Sequence, residues 1–290
     1  MSGMRNKTQS PVKESSLQAL ILIIGSSFLR PTAIKCSFSI FRNFFFLQYK
    51  AALLPGRYPV SQVDHPLDEK IPFKPDKVTI YLEFLHLFIR AMGFLLRRFG
   101  HRSRVEVRKA IDSISAVYKK AAEVYARNYS TTKRPLYLAR FRFLLIHAFD
   151  PHLMCIPSLH VMVLIRTYTI FRYILSILRE EKGFLPQIEE LRRGAIAITE
   201  AVLYIKQHSV NCISAAMYAM TCFDGFFPPE EAEGFARDLF SYDDTVPEKN
   251  AQAIRDHIIG LYRQFIRQFN DQKSQAWEKP LLDFFESLSK

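Results

Sequence analysis

Between residues 78 and 99 the chain reads VTIYLEFLHLFIRAMGFLLRRF, apolar on most faces but interrupted by Glu83, His86 and Arg90. The run is about long enough to cross a bilayer, yet three polar groups suit it better to a buried or interfacial helix. Residues 105–125 place Val105, Ile111, Ile114, Val117, Ala121 and Val124 near a 3.6-residue period with Lys and Arg opposite, which predicts an amphipathic helix. Residues 136–149, 158–178 and 194–223 also predict helices, the last two strongly apolar, and Pro135 suits a first helical turn. Pro228 and Pro229 end this body, and beyond them Ile254, Ile258, Leu261, Tyr262, Phe265 and Ile266 mark one face of a further amphipathic helix. Strand signals are scarce, so the fold class is all-α.

Four regions follow from these patterns. Residues 1–53 form an apolar N-terminal helical region, and 54–77, rich in Pro and charge without a sustained period, reads as a loop or linker. Residues 78–227 make the helical core, and 228–290 a C-terminal helical extension. The N-terminus pairs a basic leader with a short apolar stretch, but Arg30 and Lys35 follow and no small-x-small cleavage site is evident, so the segment is expected to be retained.

Composition changes this picture in one respect. Hydrophobic residues are 49% of the chain and Phe contributes 25, yet the mean hydropathy is only −0.02, because the apolar segments are peppered with Arg and Lys. Up to Met220 there are 32 Lys and Arg against 15 Asp and Glu, and after it 8 against 13. A basic body with an acidic tail is compatible with anionic lipid, a phosphorylated small molecule or nucleic acid. Nucleic acid is disfavoured, since no finger, recognition-helix or RNP pattern is present. Arg140, Arg142, Arg166 and Arg172 would be costly at a bilayer centre, so the expectation is membrane association through a basic, aromatic-rich surface or an imperfect bundle, with a soluble fold as the rival. Cys36, Cys155, Cys212 and Cys222 lack paired C-x-x-C spacing and read as small buried hydrophobes, with neither a metal site nor a disulfide scaffold expected.

Three stretches share one chemical theme. In RNYSTTKRP, Arg127 and Arg134 flank six residues, and guanidinium groups match phosphate oxygens in bidentate fashion. In CIPSLH, Ser158 and the amides of a helix start suit an anion, with His160 in the first turn. In VLYIKQHSVNC, Lys206 and His208 stand inside an otherwise apolar run.

Taken in order, these stretches resemble the type 2 phosphatidic acid phosphatase superfamily, which also contains vanadium haloperoxidases and bacterial acid phosphatases. Its first motif, K-x(6)-R-P, is met with Arg127 in the Lys position and by Arg134 and Pro135. Its second, P-S-G-H, is met by Pro157, Ser158 and His160, with Leu159 for Gly as in the PSLH branch that includes lipid phosphotransferases of the inositol phosphorylceramide synthase kind. Its third, S-R-x(5)-H-x(3)-D, is met only at His208: the Asp position holds Cys212 and the Ser-Arg positions hold Ala201 and Val202.

The resemblance covers roughly residues 105–223. It implies a helical bundle and a metal-independent phosphatase or phosphotransferase, of the acid phosphatase or lipid phosphate phosphatase type, that acts on a lipid or other phosphomonoester and needs no cofactor. By it, His208 attacks phosphorus to form a phosphohistidine and His160 protonates the departing alkoxide, while Arg127, Arg134, Ser158 and Lys206 hold the phosphoryl oxygens. Asn211 and Lys206 are candidates to replace the missing Asp and Arg, and Glu200, Asp150 and Asp224 to supply the carboxylate. The alternative is a catalytically impaired member that binds anionic lipid headgroups or a protein partner.

Overall fold

The computed structural model describes residues 10–242, 244–271 and 276–288, so the basic leader at 1–9 lies outside the described residues. The chain is predominantly helical. Helix α1 (Ser16–Gly25) is followed by α2 (Arg30–Ile40), a π-helical stretch (Phe41–Phe46) and α3 (Leu47–Leu53), and the direction turns by 115° between α1 and the rest. The linker then contributes strand β1 (Val60–Gln62) and two 3-10 turns, Pro66–Lys70 and Pro75–Lys77. Helices α4 (Val78–Tyr81), α5 (Phe84–Phe99) and α6 (His101–Tyr125) precede strand β2 (Tyr129–Thr131) and α7 (Phe141–Phe149). The remainder is α8 (Leu159–Ile177), α9 (Leu185–Tyr204), α10 (Val210–Asp224), α11 (Pro229–Arg237), α12 (Glu248–Asp271) and α13 (Lys279–Leu288).

Helix α8 is strongly apolar because most of its length is enclosed, packing against α5, α6, α9 and α10. Arg166 is accommodated there rather than exposed: its Nε donates to Ser113 Oγ at 2.9 Å and its guanidinium lies over the rings of Phe223 and Phe226. A second close contact seats α1 on α5, where Gly93 faces Ala19; a Cβ at position 93 would come within 2.3 Å of the Ala19 Cβ. One continuous core runs from Ile23 to Phe285 and takes residues from all four sequence regions.

Part of the charge asymmetry is consumed inside the molecule. The acidic tail docks on the basic body through a two-pronged Arg172–Glu231 pair at 2.9 and 2.7 Å and an Arg192–Asp238 pair at 2.6 Å.

Among the described residues two stretches, Pro75–Phe99 and Leu159–Ile177, are long and apolar enough to cross a membrane, and the bent run from Ser16 to Leu53 would make a third if it counts as one span. The window of the second is 78% buried by protein neighbours, which leaves little of it to meet lipid. Exposed apolar side chains gather instead on the N-terminal helices, among them Leu17, Ile21, Ile34, Phe38, Phe41 and Leu53, and around α7, where Leu136, Leu138 and Phe141 stand out.

Three helical spans differ from the sequence reading, and the helix expected from residue 194 already begins at Leu185. The span 136–149 becomes helical only at Phe141, since β2 and the extended segment after it carry Pro135 past the linker. The span 78–99 breaks after Tyr81, and 194–223 breaks at residues 205–209, where Lys206 adopts a left-handed φ of +58°. His208 is therefore in a turn between two helices and not within one.

Candidate active site

The site forms where the linker, the β2 segment, the start of α8 and the α9–α10 turn meet. Strand β1 pairs in parallel with β2, Val60 opposite Tyr129 and Gln62 opposite Thr131. Ser130 then fastens the next segment: its Oγ accepts from the Cys155 and Ile156 amides at 3.1 and 2.8 Å, and its own amide donates to the Leu153 carbonyl at 3.0 Å. The Ser158 amide donates to the Cys212 carbonyl at 3.3 Å, which holds the start of α8 against the start of α10. These bonds join three segments that are far apart in sequence.

His160, on the first turn of α8, and His208, in the turn before α10, meet directly: His160 Nδ1 and His208 Nε2 are 3.1 Å apart. His208 Nδ1 lies 3.1 Å from the Cys155 carbonyl, and Tyr81 Oη lies 2.8 Å from His160 Nε2. One acceptor fixes the polarity of the whole row. A carbonyl can only accept, so His208 Nδ1 carries the proton and Nε2 of the neutral ring holds a lone pair. His160 Nδ1–H then donates to that lone pair, His160 Nε2 accepts, and the Tyr81 hydroxyl donates. Burial keeps both rings neutral: it pushes His160 down to about 4, and it pushes His208 well below its ordinary range, helped by the neighbouring His160 and His152.

Two donors without partners belong to the segments that carry the dyad. Ser158 Oγ is fully buried at the N-terminus of α8 and Gln207 Nε2 is buried beside His208; neither has a hydrogen-bond partner among the described residues. Arg134 Nη2 donates to the Asp150 carbonyl at 3.1 Å and Nη1 donates to Gln207 Oε1 at 3.3 Å, with the Asp150 carboxylate 3.6 Å away. Burial raises the Asp150 carboxyl above the usual range, opposed by Arg134. A third imidazole, His152, bonds Thr132 Oγ1 at 2.7 Å, and burial lowers it to about 3.

Two cavities adjoin these groups. An apolar one of about 300 Å³ is lined by Phe44, Phe84, Leu145 and Phe149 and touches Tyr81, Asp150 and His160. A polar one of about 1020 Å³ is lined by Asp64, Asp68, Glu69, Lys133, Arg134 and Lys206. Arg134 and Asp150, paired to each other, each line one of the two.

Of the residues singled out from sequence, His160 and His208 meet directly, Ser158 stands two residues before His160 at the start of α8, and Arg134 bonds Gln207, the residue before His208. Arg127 does not join them: its guanidinium is turned to the C-terminal extension and pairs with the buried Glu278 carboxylate at 2.6 Å. Lys206 reaches the polar cavity, but its ammonium is bound by the Asp68 and Ile71 carbonyls, and burial lowers its pKa. Cys212 is fully buried with its thiol pushed far up by desolvation, so it supplies no charge. Glu200 accepts from the Phe240 amide and Asn211 Oδ1 bonds His257 Nε2 at 2.7 Å, so neither orients His208; the Asp224 side chain lies outside the described residues. The orienting role falls to the Cys155 carbonyl, which no side-chain motif could reveal. Tyr81 and Gln207 were also missed; Gln207 is betrayed only by standing next to His208. No protein-family profile, curated protein or solved structure significantly matches this chain.

Proposed function

We propose that the chain is a phosphatase or phosphotransferase of the type 2 phosphatidic acid phosphatase superfamily, acting on an amphiphilic phosphomonoester through a phosphohistidine on His208. The observation that carries this reading is the ordered row from Tyr81 to the Cys155 carbonyl, which puts the in-plane lone pair of His208 on Nε2, facing His160. That nitrogen is a competent nucleophile once a phosphoryl group parts the two rings. The unpartnered Ser158 hydroxyl and Gln207 amide, with Arg134 beside them, are the donors an incoming phosphoryl dianion needs. The apolar cavity at His160 suits a hydrocarbon group on the leaving side. The exposed apolar residues of α1 to α3, next to Arg30, Lys35, Arg42 and Lys50, suit a protein that sits on an anionic bilayer.

A second reading has its own support. Arg127 is engaged by Glu278, and His160 caps the nucleophilic nitrogen at 3.1 Å, which favours a chain that binds a phosphorylated headgroup without turning it over. Rapid acid-free quenching after mixing with a chromogenic aryl phosphate, followed by detection of an acid-labile, alkali-stable phosphoenzyme, separates the two. Turnover and a phosphoenzyme in the native chain, both lost in His208→Ala, are expected. Binding of phosphatidic acid vesicles without phosphate release from any monoester would leave the second reading standing.

A further inference from the structure

A neutral imidazole is a poor acid when it acts alone. His160 has a single N–H, on Nδ1, and releasing it to a departing alkoxide leaves an anionic ring unless the other nitrogen gains a proton in the same step. That other nitrogen, Nε2, receives the Tyr81 hydroxyl at 2.8 Å. Tyr81 ends α4 directly before the break in the 78–99 span, and it is 4% exposed. Its ring and that of Phe84 pack on the imidazole with centroids 4.9 and 4.5 Å away, and His160 is the only partner of its hydroxyl among the described residues. Tyr81 and His160 also share a wall of the apolar cavity, the side on which a hydrocarbon leaving group would lie.

We infer that Tyr81 is the proton source for the leaving group, acting through His160. The inference rests on the phosphohistidine reading. In the first half-reaction the bond from phosphorus to the leaving oxygen breaks, and its electron pair goes to that oxygen. The lone pair of His208 Nε2 forms the new bond to phosphorus. The His160 Nδ1 proton passes to the leaving oxygen as the Tyr81 proton passes to His160 Nε2, so a phenolate remains beside a neutral ring. In the second, water attacks phosphorus and loses a proton to His160 Nδ1, the Nε2 proton returns to Tyr81, and the phosphorus–nitrogen pair returns to His208. Every proton is restored, and the net reaction is hydrolysis. An alkoxide is more basic than an ordinary phenolate, which favours the transfer; burial raises the Tyr81 phenol well above its ordinary value, which narrows that difference and keeps the phenol protonated between turnovers.

The relay makes Tyr81 matter in proportion to the basicity of the leaving group. Phosphate release is measured for the native chain, Tyr81→Phe and His208→Ala with p-nitrophenyl phosphate, whose anion departs without a proton, and with octyl phosphate, whose alkoxide does not. Tyr81→Phe is expected to lower kcat/KM, which reports only the steps up to the phosphoenzyme, about 100-fold or more on octyl phosphate and less than about 5-fold on p-nitrophenyl phosphate. A folding defect reduces both rates equally and cancels in their ratio. If Tyr81→Phe lowers both rates by one factor, or neither, while His208→Ala abolishes both, the relay is refuted and the nucleophile stands. If His208→Ala keeps turning over both substrates, the phosphohistidine reading is refuted and the relay with it.

Discussion

Acid should unfold this protein partly through His160, by an amount that its surroundings set. The folded ring binds a proton only near pH 4, whereas an unfolded histidine does so near 6.5. The unfolded state therefore binds more protons between these values, and stability falls as pH falls through that window. At pH 4.5 the free-energy difference from this one group is about 2.5 kcal/mol, since each pH unit between the two pKa values is worth about 1.4 kcal/mol. Contributions from Asp68, Asp150 and other groups that do not touch His160 cancel to first order when the native chain is compared with His160→Gln, which removes the titration but keeps a polar side chain to face His208. Urea unfolding of both proteins at pH 7.5, 6.5, 5.5 and 4.5 yields the comparison. The variant should be less sensitive to acid, so that its stability relative to the native chain improves by about 2.5 kcal/mol between pH 7.5 and 4.5. Parallel curves would mean that His160 titrates alike in both states. The neutral, directional row of hydrogen bonds from Tyr81 to Cys155 would then lose its foundation.

Two other expectations concern the N-terminal helices. Gly93→Ala places a methyl group against Ala19, and the overpacking should cost about 1–3 kcal/mol, seen as a lower urea midpoint with unchanged slope; unaltered stability would show that α1 does not rest on α5. Replacing Ile21, Phe38 and Phe41 together by Ser should weaken binding to vesicles of phosphatidylglycerol and phosphatidylcholine by about 100-fold, taking roughly 1 kcal/mol for each half-inserted side chain. Equal sedimentation of variant and native chain with vesicles would remove these helices from the membrane contact.

The helical class and most of the helices were legible because a 3.6-residue period survives even in this Arg-rich chain, as in α6 and α12. What was not legible came from tertiary demands on the backbone. No Gly or Pro punctuates residues 195–223, so nothing announces the break at Lys206 that lifts His208 out of a helix. The linker's part in the site depends on β1 pairing with β2, three residues each, too short to register as strands in sequence. His160 and His208 were recognisable by type and order, and they do meet. Arg127 was recognisable by the same tokens and does not, because Glu278, some 150 residues later, competes for it. Charge partners supplied by a distant segment leave no local trace.

The Cys155 carbonyl has a bearing on how the site tolerates change. A catalytic imidazole steered by a carboxylate is one codon away from losing its guide. Here the guide is main chain, so any residue at position 155 that preserves the local path presents the same oxygen to His208. Genetic damage to this tautomer has to come through displaced backbone, for instance at Ser130, whose hydroxyl and amide hold that segment in place.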